Sequence, residues 1–231
     1  MVVPGTRPHS GCVWCRMASS AGASAGAGSG AVTPATISLW DVGNKYSRMD
    51  WAALRAAVEA GGDLNAVNPA ADWYGRSTVL QAVFNGAPLE VVKWMHDSTE
   101  ADFTAVDELG RTAVHMACDS SQFVSHEAAA GVVEYLVSVV GLDPCQRMTG
   151  GDRWSPIHSA CCRDNVAIVR YLLEGDLGVT ADVRDANGWS AVHHAAWSEY
   201  SSTYNVLGYL VAHAGADVEA KTQVWWCCCV M

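Results

Sequence analysis

The sequence predicts an all-α solenoid of about five helix–turn–helix units joined by β-turn or hairpin-like loops, behind a disordered N-terminal tail. Three observations predict it. One segment returns four times, as GRSTVLQA at 75–82, GRTAVHMA at 110–117, RWSPIHSA at 153–160 and GWSAVHHA at 188–195. Its hydroxyl residues Ser77, Thr112, Ser155 and Ser190 are spaced by 35, 43 and 35 residues. After each copy comes an apolar stripe at helical spacing. Units of this size cannot bury their own apolar faces, so they stack on their neighbours.

Each unit follows one order: a turn, a short helix opening at the hydroxyl residue, then a second helix. The second-helix stripes are Leu89, Val91, Val92 and Met95; Val132, Val133, Leu136 and Val137; Val166, Ile168, Val169, Leu172 and Leu173; and Val206, Leu207, Leu210 and Val211. Steps of three and four place each set on one helical face. WAALRAAVEAGGDLNAVN at 51–68 has the second-helix pattern with a glycine stop, so 37–46 is the expected first helix of an amino-terminal unit. The expected units lie near 37–71, 72–106, 107–149, 150–184 and 185–222.

Outside the array lie two tails. Residues 1–36 contain AGASAGAGSGA and too little hydrophobic mass to order themselves. Their faint likeness to a transit peptide is weakened by having only Arg7 and Arg16, and Met17 is an alternative start. Residues 223–231 are rich in Trp and Cys.

Asp107, Gly110, Thr112, His115 and Ala117 match the ankyrin signature D-x-x-G-x-T-P-L-H-x-A, as do Asp185, Gly188, Ser190, His193 and Ala195. Ser155, Pro156, Ile157, His158 and Ala160 match its right-hand part, and Gly215–Val218 and Gly61–Asn65 its closing segment. The chain therefore resembles the ankyrin repeat family over about residues 37–222. The resemblance implies a protein-binding scaffold contacted at turn tips and inner helices. It also implies that His115, His158 and His193 brace adjoining turns. There are departures: Leu80 stands where the family has His, and Gly150 and Arg153 where it has Asp and Gly. The third unit carries an insertion around DSSQFVSHEAAAG, expected to enlarge the loop between its helices, and the fifth a smaller one at SEYSSTYN. Such insertions mark a functional face or drift in a tolerant loop.

Composition narrows the function. Beyond residue 40 the chain holds 12 basic against 24 acidic side chains, which disfavours nucleic acid. No stretch reaches 18 uninterrupted apolar residues. The nine cysteines show no paired framework, so a reducing, cytoplasmic setting is expected, with the nucleus or a membrane surface as alternatives. Cys12-Val13-Trp14-Cys15 is at most half a zinc site. His158 and Cys161 lie within reach of each other on one helix, but no third orienting group accompanies them. No catalytic residue, metal or cofactor is expected.

The position before each hydroxyl residue holds Arg76, Arg111, Trp154 and Trp189, with Tyr74 and Leu109 two residues before the first two. Stacking would align these as a contact stripe, extended onto the inner helices by Trp197, Met116 and His194. The alternative is that each tryptophan folds over its own repeat. The expected protein is a monomeric adaptor for a protein partner. Two alternatives stand beside it. Cys228-Cys229-Val230-Met231 fits a prenylation signal, with Cys227 as a second acylation site, which would make a lipid-anchored targeting subunit. The chain would otherwise be a fragment of a larger multidomain protein.

Overall fold

The computed structural model describes residues 49–68, 74–120, 124–198 and 205–222. The expected tail at 1–36, the helix at 37–46, Cys12, Cys15 and Cys228 lie outside these described residues. Among them are nine helices: α1 (Trp51–Glu59), α2 (Thr78–Phe84), α3 (Leu89–Ser98), α4 (Ala113–Asp119), α5 (His126–Ser138), α6 (Pro156–Cys162), α7 (Val166–Glu174), α8 (Ala191–Ala196) and α9 (Asn205–His213).

The helices form two rows. The short helices α2, α4, α6 and α8 pack one on the next, and α3, α5, α7 and α9 form a second row behind them. Burial follows the apolar spacing. Leu80, Val92, Met95, Val114, Leu136, Ile157, Leu172 and Leu210 are fully buried in one continuous core. Short helices of six or seven residues are marginal alone, so this lateral packing holds them. Val211 departs from its stripe and is half exposed, while the main packing of α9 is on α7 and α8.

The hydroxyl residues start the inner helices as expected. Thr112, Ser155 and Ser190 each form a reciprocal capping box with the histidine three residues on. In α2, where Leu80 replaces that histidine, Ser77 alone accepts the Leu80 N–H at 3.4 Å. The insertion in the third unit is not all loop. His126–Ala130 begins α5, whose 13 residues exceed the 10 of α3 and the 9 of α7. Ser125 caps this extra turn by accepting the Ala128 N–H at 3.2 Å.

Turn tips project between the units and are pinned at their bases. The N–H groups of Asn68, Asp107, Met148 and Asp185 donate to the carbonyls of Arg76, Arg111, Trp154 and Trp189, at 3.3, 3.2, 2.8 and 2.9 Å. Met148 therefore fills the place of Asp107 and Asp185, in a tip two residues longer, and Gly150 is not the aspartate equivalent suggested by the alignment. Adjacent tips are joined as well: Glu108 N–H donates to Tyr74 O, Thr149 N–H to Leu109 O, and Ala186 N–H to Asp152 O. A Cβ on Gly110 would meet the Thr149 nitrogen at 2.5 Å, so this approach requires glycine.

Candidate functional site

The repeated histidines sit beneath the tips. Backbone N–H groups of Thr112, Ser155 and Ser190 donate to Nδ1 of His115, His158 and His193, at 3.2, 3.0 and 3.2 Å. A backbone amide can only donate, so Nδ1 is the acceptor and the ring proton resides on Nε2. From there His115 donates to the Trp154 carbonyl at 3.2 Å, and His158 to the Val183 carbonyl at 3.0 Å, each in the following unit. Burial pushes His115 down to about 4 and His158 down to about 3. Such rings are neutral braces. The cysteines beside them are equally inert, since burial raises the thiols of Cys118 and Cys161 far above the range in which a thiolate forms. Among the described residues, no three His, Cys, Asp or Glu side chains are placed to hold a metal.

The residues of the expected contact stripe share one register, because each carbonyl closes its tip, but their side chains divide. Arg76 and Arg111 are 1 % exposed and Trp154 is 6 % exposed, so these three turn inward. Tyr74, Leu109, Trp189 and Trp197 are half-buried, whereas Met116 and His194 are buried.

Electrostatics explains the arginines. Asp107 Oδ1 accepts the Leu109 and Arg111 N–H groups at 3.0 and 2.9 Å, fixing the tip. Its Oδ2 pairs with the Arg111 guanidinium and lies 3.5 Å from Arg76 Nε. Arg76 also donates to Gln81 Oε1 at 3.2 Å and lies over the Phe84 ring at 4.3 Å. Burial, then the adjacent Arg111 charge, lowers Arg76 to about 9. Tyr74 covers both guanidinia, its ring 5.7 Å from Arg76 and 5.2 Å from Arg111. A four-residue interval from a buried Asp to an Arg is the sequence signal for this fold-in.

Trp154 is buried by packing. It clusters with Met148 and Cys162, and its ring meets His194 edge-on at 4.4 Å. One unit on, Trp189 and Trp197 form a T-shaped pair with centroids 5.7 Å apart, across the tip and the end of α8. Beneath them His194 Nε2 meets Asp185 Oδ2 at 3.2 Å, while Asp185 Oδ1 accepts the Asn187 and Trp189 N–H groups at 2.8 Å. Residues that sequence reasoning did not single out connect neighbouring units, between the ends of inner helices and from the α6–α7 turn to α9. Arg163 Nε pairs with Asp119 at 3.2 Å, and Asp164 accepts the Val206 N–H at 2.8 Å.

A family model for ankyrin repeats in three copies matches residues 124–222. Those residues belong to the ankyrin repeat family. The same architecture extends through the described helices toward the N-terminus, with Asp107, Gly110 and His115 in equivalent places. No curated protein matches the chain in sequence. An ankyrin array is a non-catalytic scaffold that generally mediates protein–protein interaction. No described helix is long and apolar enough to cross a membrane.

Proposed function

We propose that this chain is a monomeric adaptor that holds a protein partner on the accessible part of its tips and inner helices. The observation that carries the reading is the Trp189–Trp197 pair. Two large aromatic rings meet edge-on across the fifth unit's tip and the end of α8 and stay partly exposed. Tryptophans in such settings supply contact area at little entropic cost, which is why they dominate interface energetics. Tyr74 and Leu109 continue the contact line, while Arg76, Arg111 and Trp154 support it from below. The proposed setting is cytoplasmic, and the unit boundaries near 72, 107, 150 and 185 are part of the same reading.

The test is capture from native lysate with the wild-type chain and a Trp189→Ala, Trp197→Ala double variant of matched far-UV circular dichroism. Partners lost only in the variant support the site. Partners retained equally by both remove it from these two rings. A second reading, a lipid-anchored targeting subunit, rests on the sequence Cys228-Cys229-Val230-Met231. Membrane partition that vanishes in Cys228→Ser would favour it, and unchanged partition would dismiss it.

A further inference from the structure

One outward position recurs five times along the array, and it holds Val67, Val106, Arg147, Arg184 and Lys221. The residues that follow, Asn68, Asp107, Met148, Asp185 and Thr222, are all buried, and strand alternation turns their predecessors to the opposite side. A common turn fixes the register: the N–H groups of Ala66, Gln146, Val183 and Ala220 each donate to the carbonyl three residues back. Val67 and Val106 are 40 % and 45 % exposed. Arg147 and Arg184 are half-buried and Lys221 is exposed. Intervals of 37 and 37 residues place these three cations in successive layers.

We propose that this line docks an extended segment of the protein partner, with apolar side chains on Val67 and Val106 and carboxylates on Arg147, Arg184 and Lys221. The inference deepens the adaptor reading and rests on it in one respect, that the ligand is a protein. It makes no use of the Trp189–Trp197 pair.

Charge carries the assignment. Among the described residues, Arg76, Arg111, Arg163 and Arg170 pair with carboxylates, and Arg147, Arg184 and Lys221 do not. This holds even though Asp182 and Glu219 stand two residues before Arg184 and Lys221. The Arg184 guanidinium instead donates to the carbonyls of Gly188 and Lys221, at 3.0 and 3.3 Å. Those carbonyls fix its position and leave its charge unneutralised, so little rotamer freedom remains to be lost on binding. Stacked helices lie about 8–10 Å apart, close to the Debye length at physiological salt, so neighbouring charges in the row reinforce one another. An extended chain rises about 3.3 Å per residue, so every third side chain meets the next layer. A nucleic acid would run past so short a row onto acidic surface, since 12 basic side chains face 24 acidic ones beyond residue 40.

The test is fluorescence anisotropy of a labelled peptide with the full chain. The peptide has about thirteen residues, with Leu at two and then Glu at three successive every-third positions, Ser and Gly between, prepared in both sequence directions. One direction should bind, more weakly as salt rises, and its Gln and Lys analogues should bind at least about tenfold less well. A chain carrying Arg147→Gln, Arg184→Gln and Lys221→Gln should show the same loss of about tenfold. A chain losing equal charge on α1, α3 and α7, by Arg55→Gln, Lys93→Gln and Arg170→Gln, should bind as the wild type does. Val67→Ser with Val106→Ser should weaken the peptide, and should not affect one with Ser in place of its Leu residues. The proposal is overturned if neither direction binds at physiological salt, if the Lys analogue binds equally, if the control chain loses as much, or if an oligonucleotide of matched charge binds more tightly. Should the triple variant lose its wild-type circular dichroism, the ranking of the Glu, Gln and Lys peptides on the wild-type chain decides. Capture from lysate that persists while no peptide binds removes this strip alone, and peptide binding without capture removes the tryptophan site alone.

Discussion

Lowering the pH from 7 to 5 should destabilise the array through its bracing histidines. His115 and His158 have folded values of about 4 and about 3, against an ordinary value of 6.5. Their folded values are depressed, so the unfolded chain binds more protons between those limits. Their contribution is therefore complete above pH 6.5 and falls as the pH drops toward 4 and 3. Each ring loses about 1.4 kcal/mol per pH unit once well below the ordinary value, and integration from pH 7 to 5 gives about 4 kcal/mol for the two. Asp102 and Asp185 are held below 3.8, so their contributions fade only at lower pH and stay out of this window. The assay is urea unfolding followed by far-UV circular dichroism. With an m-value of about 2 kcal/mol/M, the midpoint should fall by about 2 M. An unchanged midpoint at pH 5 would refute the assignment of these rings as buried neutral donors.

Trp154→Ala should cost about 3–5 kcal/mol, because it empties a buried site and disturbs the tip that receives the His115 proton donor. Trp189→Ala should cost much less in the same urea titration, since that ring is half-buried. Asp107→Ala leaves Arg76 and Arg111 buried without their shared carboxylate and should cost about 3–5 kcal/mol, measured by thermal or urea unfolding. Asp164→Ala removes the acceptor for the Asn205 and Val206 N–H groups at the start of α9. That loss of about 1 kcal/mol should appear as faster hydrogen exchange confined to α9, with α5 amides unchanged. Treatment with a chelator should leave the unfolding midpoint where it was, and a fall would point to a metal role for the histidines.

Much of the architecture was legible because repetition removes ambiguity. A hydroxyl residue followed three positions later by histidine marks an inner-helix start, and three copies in register at Thr112, Ser155 and Ser190 fix where the helices stack. The second-helix stripes read correctly for the same reason, Val211 excepted. The extra turn of α5 carried its own signal, Ser125 ahead of Glu127 and three alanines, but comparison with shorter units favoured a loop. The register of the fourth tip was harder. Two added residues moved the aspartate position onto Met148, and the Met148–Trp154 and Thr149–Leu109 backbone bonds reveal the shift.

The direction of a tip side chain is a different kind of quantity. Repeat register places Arg76, Arg111, Trp154 and Trp189 at equivalent backbone sites, yet the site does not decide whether the side chain meets a partner or the array. That depends on what lies four residues back and one unit away. At Arg111 it is Asp107, and the charge folds in; at Arg76 it is the same carboxylate, reached from the previous unit. At Trp154 no carboxylate competes, and the longer tip lets the ring close over Met148 and Cys162. At Trp189 the carboxylate is present but its second oxygen meets His194 below, so the ring is left partly exposed beside Trp197. One backbone position thus gives three outcomes, each set by the neighbours the side chain meets: a carboxylate, an apolar pocket, or a carboxylate already occupied from below. An Asp107→Asn, Arg111→Trp double variant puts this to the test: with no carboxylate at the base of its tip, the new ring should be protected from an aqueous quencher as Trp154 is, and a ring as accessible as Trp189 would show that the tip itself, not its carboxylate, sets the direction.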